Sequence, residues 1–234
     1  MSLWSPEPGM AERLQHLHAM RLSYEAAPLD LGDLPDAPGT AFAAWFEDAA
    51  AVGVIEPNAM VLATAGEDGA PTARTVLLKG VTPQGFQFFT NYHSRKGRHL
   101  AAHPKASLLF AWLPIYRQVA VTGDVVRLEE PESDAYFASR PRGSQIAAWA
   151  SAQSAVVESR DALRREWQRY EDRFRDAPVP RPPHWGGYEV RPEQLEFWQG
   201  QPSRMHDRIV YRAATQGTPR LDDAGAWSRV RLAP

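Results

Sequence analysis

The chain has 234 residues, of which 44% are hydrophobic and 23% charged, with a formal net charge of -2 at pH 7. These proportions are ordinary for a globular chain, and the near-neutral balance gives no bulk reason to expect a nucleic-acid partner. Cysteine is absent, which excludes disulfides, thiolate metal sites and cysteine nucleophiles, and no apolar run approaches the roughly 20 residues that a membrane-spanning helix needs. Residues 1–13 lack the basic segment and apolar run of a secretory signal, so a cytoplasmic location is expected.

Residues 1–36 are polar and rich in Pro and Gly, with one short helical patch at 14–24. They read as a mobile arm ahead of one domain over 37–234. Phe42, Trp45, Phe46 and Ala49 recur at i, i+3, i+4 and i+7, which predicts an amphipathic helix over 39–51. Strands are predicted at 59–65 and 72–79, and the turn Gly66-Glu67-Asp68-Gly69 makes them a hairpin. Residues 80–85 turn into a strand at 86–91. A short basic helix follows over 94–103, with Ser94 or Asn91 as its N-cap. Further strands are predicted at 106–113 and 118–128. Short connections between successive strands favour an antiparallel meander or Greek-key barrel over βαβ units.

Residues 131–175 turn helical, starting at Pro131. The charged stretch 159–175 reads as a solvated face, with Asp161–Arg165 and Glu171–Arg175 at i,i+4. After a break at 178–183, strand signals return at 187–190, 194–198, 208–212 and 227–232. The fold expected is mainly β with helices.

Four clusters carry chemistry. Arg74-Thr75-Val76-Leu77-Leu78-Lys79 sets two cations at the ends of an apolar stretch, which is either a core strand with exposed ends or half of an anion site. Ser94-Arg95-Lys96 opens a helix whose free N–H groups suit a phosphate, although an ordinary basic turn explains the same residues. Tyr136, Arg140 and Ser144 stand at i, i+4 and i+8 and converge on one phosphate if the segment is helical up to Pro141. The run Leu195-Glu196-Phe197-Trp198-Gln199-Gly200-Gln201-Pro202-Ser203-Arg204-Met205-His206-Asp207-Arg208 combines aromatic rings, arginines and a histidine. Such a set can stack on a flat ring and hold its anionic edge. His206 is the titratable candidate, with a structural hydrogen-bonding role as the alternative. His99 and His103 lie i,i+4 without a third ligand nearby, and no metal is expected.

Segments 74–79, 90–96, 117–119, 136–145 and 196–208 follow, in this order, the motifs of the pyridoxine (pyridoxamine) 5'-phosphate oxidase family. From about residue 38 to the terminal Arg231-Leu232-Ala233-Pro234 the chain resembles that family. The resemblance implies an FMN-binding split barrel, a six-stranded antiparallel Greek-key barrel flanked by helices. It also implies a homodimer with FMN at the interface. Arg74, Thr75, Val76, Leu77, Leu78 and Lys79 would hold FMN, with Phe89, Thr90, Arg95 and Lys96 on its phosphate side. Gln118, Gln153, Ser154, Trp198 and Arg208 would complete the flavin site. Lys79, Tyr136, Arg140 and Ser144 would take the substrate phosphate, and Arg204 and His206 would lie over the substrate ring as the catalytic pair. Arg21 and Tyr24 resemble a lid pair. The implied reaction oxidises pyridoxamine or pyridoxine 5'-phosphate to pyridoxal 5'-phosphate, with dioxygen as acceptor and hydrogen peroxide as product.

Two positions depart from the family pattern. Phe89 stands where the family has Tyr, and Pro202 stiffens the loop before Arg204. Two other readings use the same residues: a split-barrel oxidase of a phenazine precursor, which would dispense with the substrate-phosphate set, and a module that binds pyridoxal 5'-phosphate without turnover. A heme-binding split barrel would leave the flavin contacts without a role.

Overall fold

Alternating burial drives the sheet. Along Ala59–Ala65 (β1) Met60, Leu62 and Thr64 are buried and their neighbours are half-exposed. Along Lys105–Trp112 (β5) Ala106, Leu108, Phe110 and Trp112 point inward. This period of two is the signature of a strand with one face on a core. The computed structural model describes residues 17–20, 22–214 and 217–234.

The remaining strands are Pro71–Leu77 (β2), Gly80–Val81 (β3), Phe86–Asn91 (β4), Arg117–Arg127 (β6), Trp185–Gln199 (β7), Asp207–Ala213 (β8) and Trp227–Leu232 (β9). All nine form one sheet in the order β2-β1-β5-β6-β7-β4-β3, with β8 on β7 and β9 on β8. Every pairing is antiparallel. The mainly β, all-antiparallel fold with flanking helices is the one expected; the sheet that carries it has nine strands.

Segments 187–190 and 194–198, expected as two strands, are one. β7 runs through Pro192 because β6 pairs with it from Tyr188 to Gln199, absorbing a register shift at Thr122/Gly123. A Cβ on Gly123 would lie 2.0 Å from the Arg191 carbonyl oxygen, so only glycine lets the strands approach there. On its other edge β7 serves two partners, β4 at Trp185–Val190 and β8 at Gln194–Gln199.

The predicted helix is Pro38–Ala51 (α1), and Phe42, Trp45 and Ala49 seat it on the sheet. Phe42 meets Phe86 at 4.9 Å and Phe110 at 5.0 Å, and Trp45 meets Phe197 edge-on at 5.1 Å. Each such ring contributes about 1.5–3 kcal/mol through burial.

The other helices are Arg95–Ala102 (α2), Glu130–Ser139 (α3), Arg142–Ala150 (α4) and Arg160–Arg173 (α5). Phe137, Ile146, Phe174, Val179 and Trp185 form a second apolar cluster where α3 and α4 meet the start of β7. No residue of α5 is fully buried. The two ion pairs expected along it are replaced. Asp161 pairs with Arg164 and Asp172 with Arg175, one residue closer than expected, while Glu171 turns to Arg142 of α4 at 3.5 Å. A carboxylate facing a packed neighbour takes that neighbour's cation in preference to one on its own exposed face.

Within the N-terminal segment, residues 17–19 form a single 3-10 turn. Residues 20 and 22–24 of the expected helical patch are not helical, and residues 14–16 and Arg21 lie outside the described residues. From Ala27 onward the segment is tied to β7–β9. Gln199 and Gln201 donate to the Ala27 carbonyl, Arg231 to Leu29 and Asp30, Arg229 to Leu31, Leu34 and Asp36, and the Tyr211 hydroxyl to Pro35.

Candidate active site

An open cleft of about 800 Å³ lies between β2, β4, α3, α4 and the start of β7. Arg74, Thr75, Val76, Leu77 and Lys79 line one wall, Phe89, Thr90 and Lys96 the next, and Tyr136, Arg140 and Ser144 the third, with Gln153 at the margin. Three of the four sequence clusters thus share one cavity. Pro141 ends α3, as its position required, yet the break does not scatter the three residues. Arg140 becomes the C-cap of α3 and Pro141 the N-cap of α4, so the chain turns around the cleft.

Four cations line this cleft and no carboxylate does. Arg74 donates to the Leu62 carbonyl at 3.0 Å, to Thr64 Oγ1 at 2.8 Å and to Thr72. Lys96 is buried, with its ammonium on Gln153 Oε1 at 3.0 Å and Thr90 Oγ1 at 3.2 Å. Loss of water around Lys96, reinforced by nearby Arg74, lowers its pKa to about 8. Burial lowers the Arg140 pKa as well, and its Nη1 is buried with no hydrogen-bond partner. A buried guanidinium nitrogen without a partner is costly, and an anion satisfies it. The donor set accordingly fits phosphorylated ligands such as FMN.

The helix-terminus seat is reduced. The Arg95 N–H donates to Ser154 Oγ and the Gly97 N–H to the Ser94 cap, so two of the first-turn N–H groups are already taken. Ser154 holds its hydroxyl there with φ +74. Leu78 points into the core instead. Arg95 does not line the cleft.

Gln118, Trp198, Arg204, His206 and Arg208 lie apart from the cleft lining, around the C-terminal half of β7. Trp198 and His206 are 4.7 Å apart between ring centroids, and Tyr24 packs on both. The Gln201 N–H donates to His206 Nδ1 at 3.0 Å, which puts the neutral ring's proton on Nε2. Arg208 grips Glu196 at 2.7 and 3.1 Å and also donates to the Ala233 carbonyl. Ser203 and Arg204 both have left-handed backbone, φ +56 and +62. Two adjacent non-glycine residues in that region store strain of about 1–3 kcal/mol each.

Ser139, Ala147, Ala148, Ser151 and Trp185 also line the cleft, as does Asn91, which the sequence offered only as a cap. Small residues carry no chemical signal in a sequence. A tryptophan after a proline-rich break reads simply as the start of a strand. Among the described residues no group of three His, Cys, Asp or Glu could hold a metal, and no helix is long and apolar enough to cross a membrane.

Residues 46–174 match the family model described as pyridoxamine 5'-phosphate oxidase. Residues 185–234 match the model described as the pyridoxine 5'-phosphate oxidase C-terminal dimerisation region. The chain is 52% identical to a protein of Burkholderia lata named pyridoxine/pyridoxamine 5'-phosphate oxidase, over 92% of this chain and 97% of that one. It is 53% identical to the like-named protein of Rubrobacter xylanophilus, over 93% and 96%. Among solved structures, PhzG of Burkholderia lata, in complex with tetrahydrophenazine-1-carboxylic acid, superposes with a TM-score of 0.79 at 31% identity, covering 91% of this chain and 100% of that one. An FMN-binding protein of Nostoc punctiforme, related to pyridoxamine 5'-phosphate oxidase, shares the fold at a TM-score of 0.64 and 17% identity, covering 85% and 98%.

Proposed function

The chain belongs to the pyridoxamine 5'-phosphate oxidase family, and on that premise we propose that it makes pyridoxal 5'-phosphate. The substrate is pyridoxamine or pyridoxine 5'-phosphate, the cofactor FMN and the acceptor dioxygen. The amine, dioxygen and water give the aldehyde, ammonia and hydrogen peroxide; the alcohol and dioxygen give the aldehyde and hydrogen peroxide. The observation that carries this reading is the cleft lined by four cations and no carboxylate, with one cation set around Arg74 and Lys96 and another at Arg140. Two such sets suit two phosphorylated ligands.

FMN, when bound, would supply two-electron acceptor chemistry, with dioxygen as the final acceptor. The protein's part is position and charge. Arg74, Lys96, Thr90 and Gln153 would hold the FMN phosphate side. Lys79, Tyr136, Arg140 and Ser144 would hold the substrate phosphate, and anchoring it there orients the reacting carbon, an effect worth several kcal/mol. Trp198, Arg204, His206 and Arg208 fall within the dimerisation region. We read them as completing the cleft of a second subunit, which makes the homodimer the working unit. His206 would then present its Nε2–H, and Arg204 its charge, to the substrate ring.

A second reading, oxidation of an unphosphorylated tricyclic acid, draws on the likeness to PhzG. The higher identity to the oxidase named for B6 phosphates in the same organism, and the presence of Tyr136, Arg140 and Ser144 in the cleft, favour the first.

The test is anaerobic. FMN-loaded protein is mixed with pyridoxamine 5'-phosphate, the visible flavin band is followed, and air is then admitted. Bleaching, then recovery with formation of peroxide and pyridoxal 5'-phosphate, is the expected result. A flavin that binds yet never bleaches with either B6 phosphate would overturn the reading. Within the same assay, His206→Ala should lower turnover more than FMN affinity, and Arg208→Ala the reverse; equal effects in both variants would refute this division of roles.

A further inference from the structure

We infer that Trp185 and Phe89 are positioning residues: their stacked rings preset Tyr136 and Arg140 for the substrate phosphate and so set the preference for phosphorylated over unphosphorylated amines. The inference rests on the substrate reading above, and it concerns two side chains for which neither the motifs nor the family likeness offered such a role.

The rings lie on neighbouring strands. Phe89 pairs with Gly187 and Asn91 with Trp185 in the β4–β7 ladder, so the platform belongs to the sheet. Phe89 stacks on Tyr136 at 4.0 Å and 21°, and on Trp185 at 5.6 Å and 15°. Tyr136 and Trp185 are parallel to within 7°. The Arg140 guanidinium lies over Trp185 at 4.6 Å and 5.6 Å from the Phe137 ring, which meets Trp185 edge-on at 5.1 Å. Trp185 is only 6% exposed.

Among the described residues Arg140 has no carboxylate partner, and one of its nitrogens is buried without a hydrogen bond. The Trp185 and Phe137 rings lie against it at the end of α3. A planar guanidinium pinned on an indole loses less freedom when it takes a phosphate than one turning in water. Phe89 has no hydroxyl, so its contribution to the cleft is its ring face. The platform acts through Tyr136 and Arg140 and touches no reacting atom.

The experiment uses the FMN holoenzyme with pyridoxamine 5'-phosphate and with pyridoxamine. Trp185→Met fills space without a flat face. It should raise KM for the phosphorylated amine about tenfold, with a smaller fall in kcat, while kcat/KM for pyridoxamine changes little and the selectivity ratio drops. Trp185→Phe should restore most of the loss. In an Arg140→Lys background, where the planar stack is already gone, Trp185→Met should add only the smaller loss that passes through Tyr136. An unchanged KM, or an equal loss in the Arg140→Lys background, would overturn the inference. If Trp185→Met does not fold, Trp185→Leu supplies the same comparison. Thermal protection of the holoenzyme by inorganic phosphate reads the positioning without turnover. Protection that is lost in the Trp185 variant supports the positioning even if the wild-type protein leaves pyridoxamine 5'-phosphate untouched, in which case the substrate reading alone fails.

Discussion

Arg140→Met is expected to raise KM for pyridoxamine 5'-phosphate by roughly 10- to 100-fold while making the ligand-free protein more stable. The first half follows from the charge-assisted hydrogen bonds an arginine makes to phosphate, worth about 1.5–3 kcal/mol. The second follows from the same side chain without its ligand. Its Nη1 is buried and unpaired, and burial holds the guanidinium pKa below its usual value. Replacing a poorly paired charge with an apolar chain of similar length should raise stability by about 1 kcal/mol. Steady-state kinetics and thermal unfolding of the ligand-free protein measure the two halves. A variant that is both less stable and kinetically unchanged would show that Arg140 braces the end of α3 and does not receive an anion.

The second large effect is a pH dependence of FMN binding. In the ligand-free protein Lys96 has a pKa of about 8, lowered first by burial and then by Arg74. A bound phosphate favours the charged form and pulls that pKa back up. FMN affinity is therefore full below pH 8 and falls as pH rises through it, by up to about tenfold per unit for one coupled proton. Lys96→Met should weaken binding at pH 7 by about 10-fold or more and abolish the alkaline fall. FMN fluorescence quenching between pH 6 and 10 tests both. A wild-type curve flat to pH 10, or a variant that keeps the fall, would remove Lys96 from the site. Stability without ligand runs the other way. The folded pKa is depressed below the unfolded 10.5, so the unfolded chain binds more protons in this window. The ligand-free protein gains stability as pH climbs from about 8 toward 10.5.

Strand and helix positions were readable because their signals are local. Met60, Leu62 and Thr64 alternate with half-exposed neighbours, and Phe42, Trp45 and Ala49 share one helix face, whatever the rest of the chain does. Ser94 caps α2 as its side chain allows. The motif residues Arg74, Lys96, Tyr136, Arg140 and Ser144 were likewise identifiable, since cations and hydroxyls at set spacings carry chemical meaning in one dimension.

What the local signals left undecided is where distant segments meet. That β7 is one strand through Pro192 depends on β6 offering a continuous partner and on Gly123 letting the strands approach. That Arg95 N–H and Gly97 N–H are already taken depends on Ser154, which lies 59 residues beyond Arg95, and on the cap at Ser94. The role inferred for Trp185 arises because β4 and β7 are neighbours, which sets its ring parallel to Phe89 and beneath Arg140. Which residues can bind an anion follows from their chemistry and is written in the chain. Whether those residues stand free, paired or pinned follows from contacts between segments far apart in sequence, and burial and register, which exist only in the folded sheet, decide it.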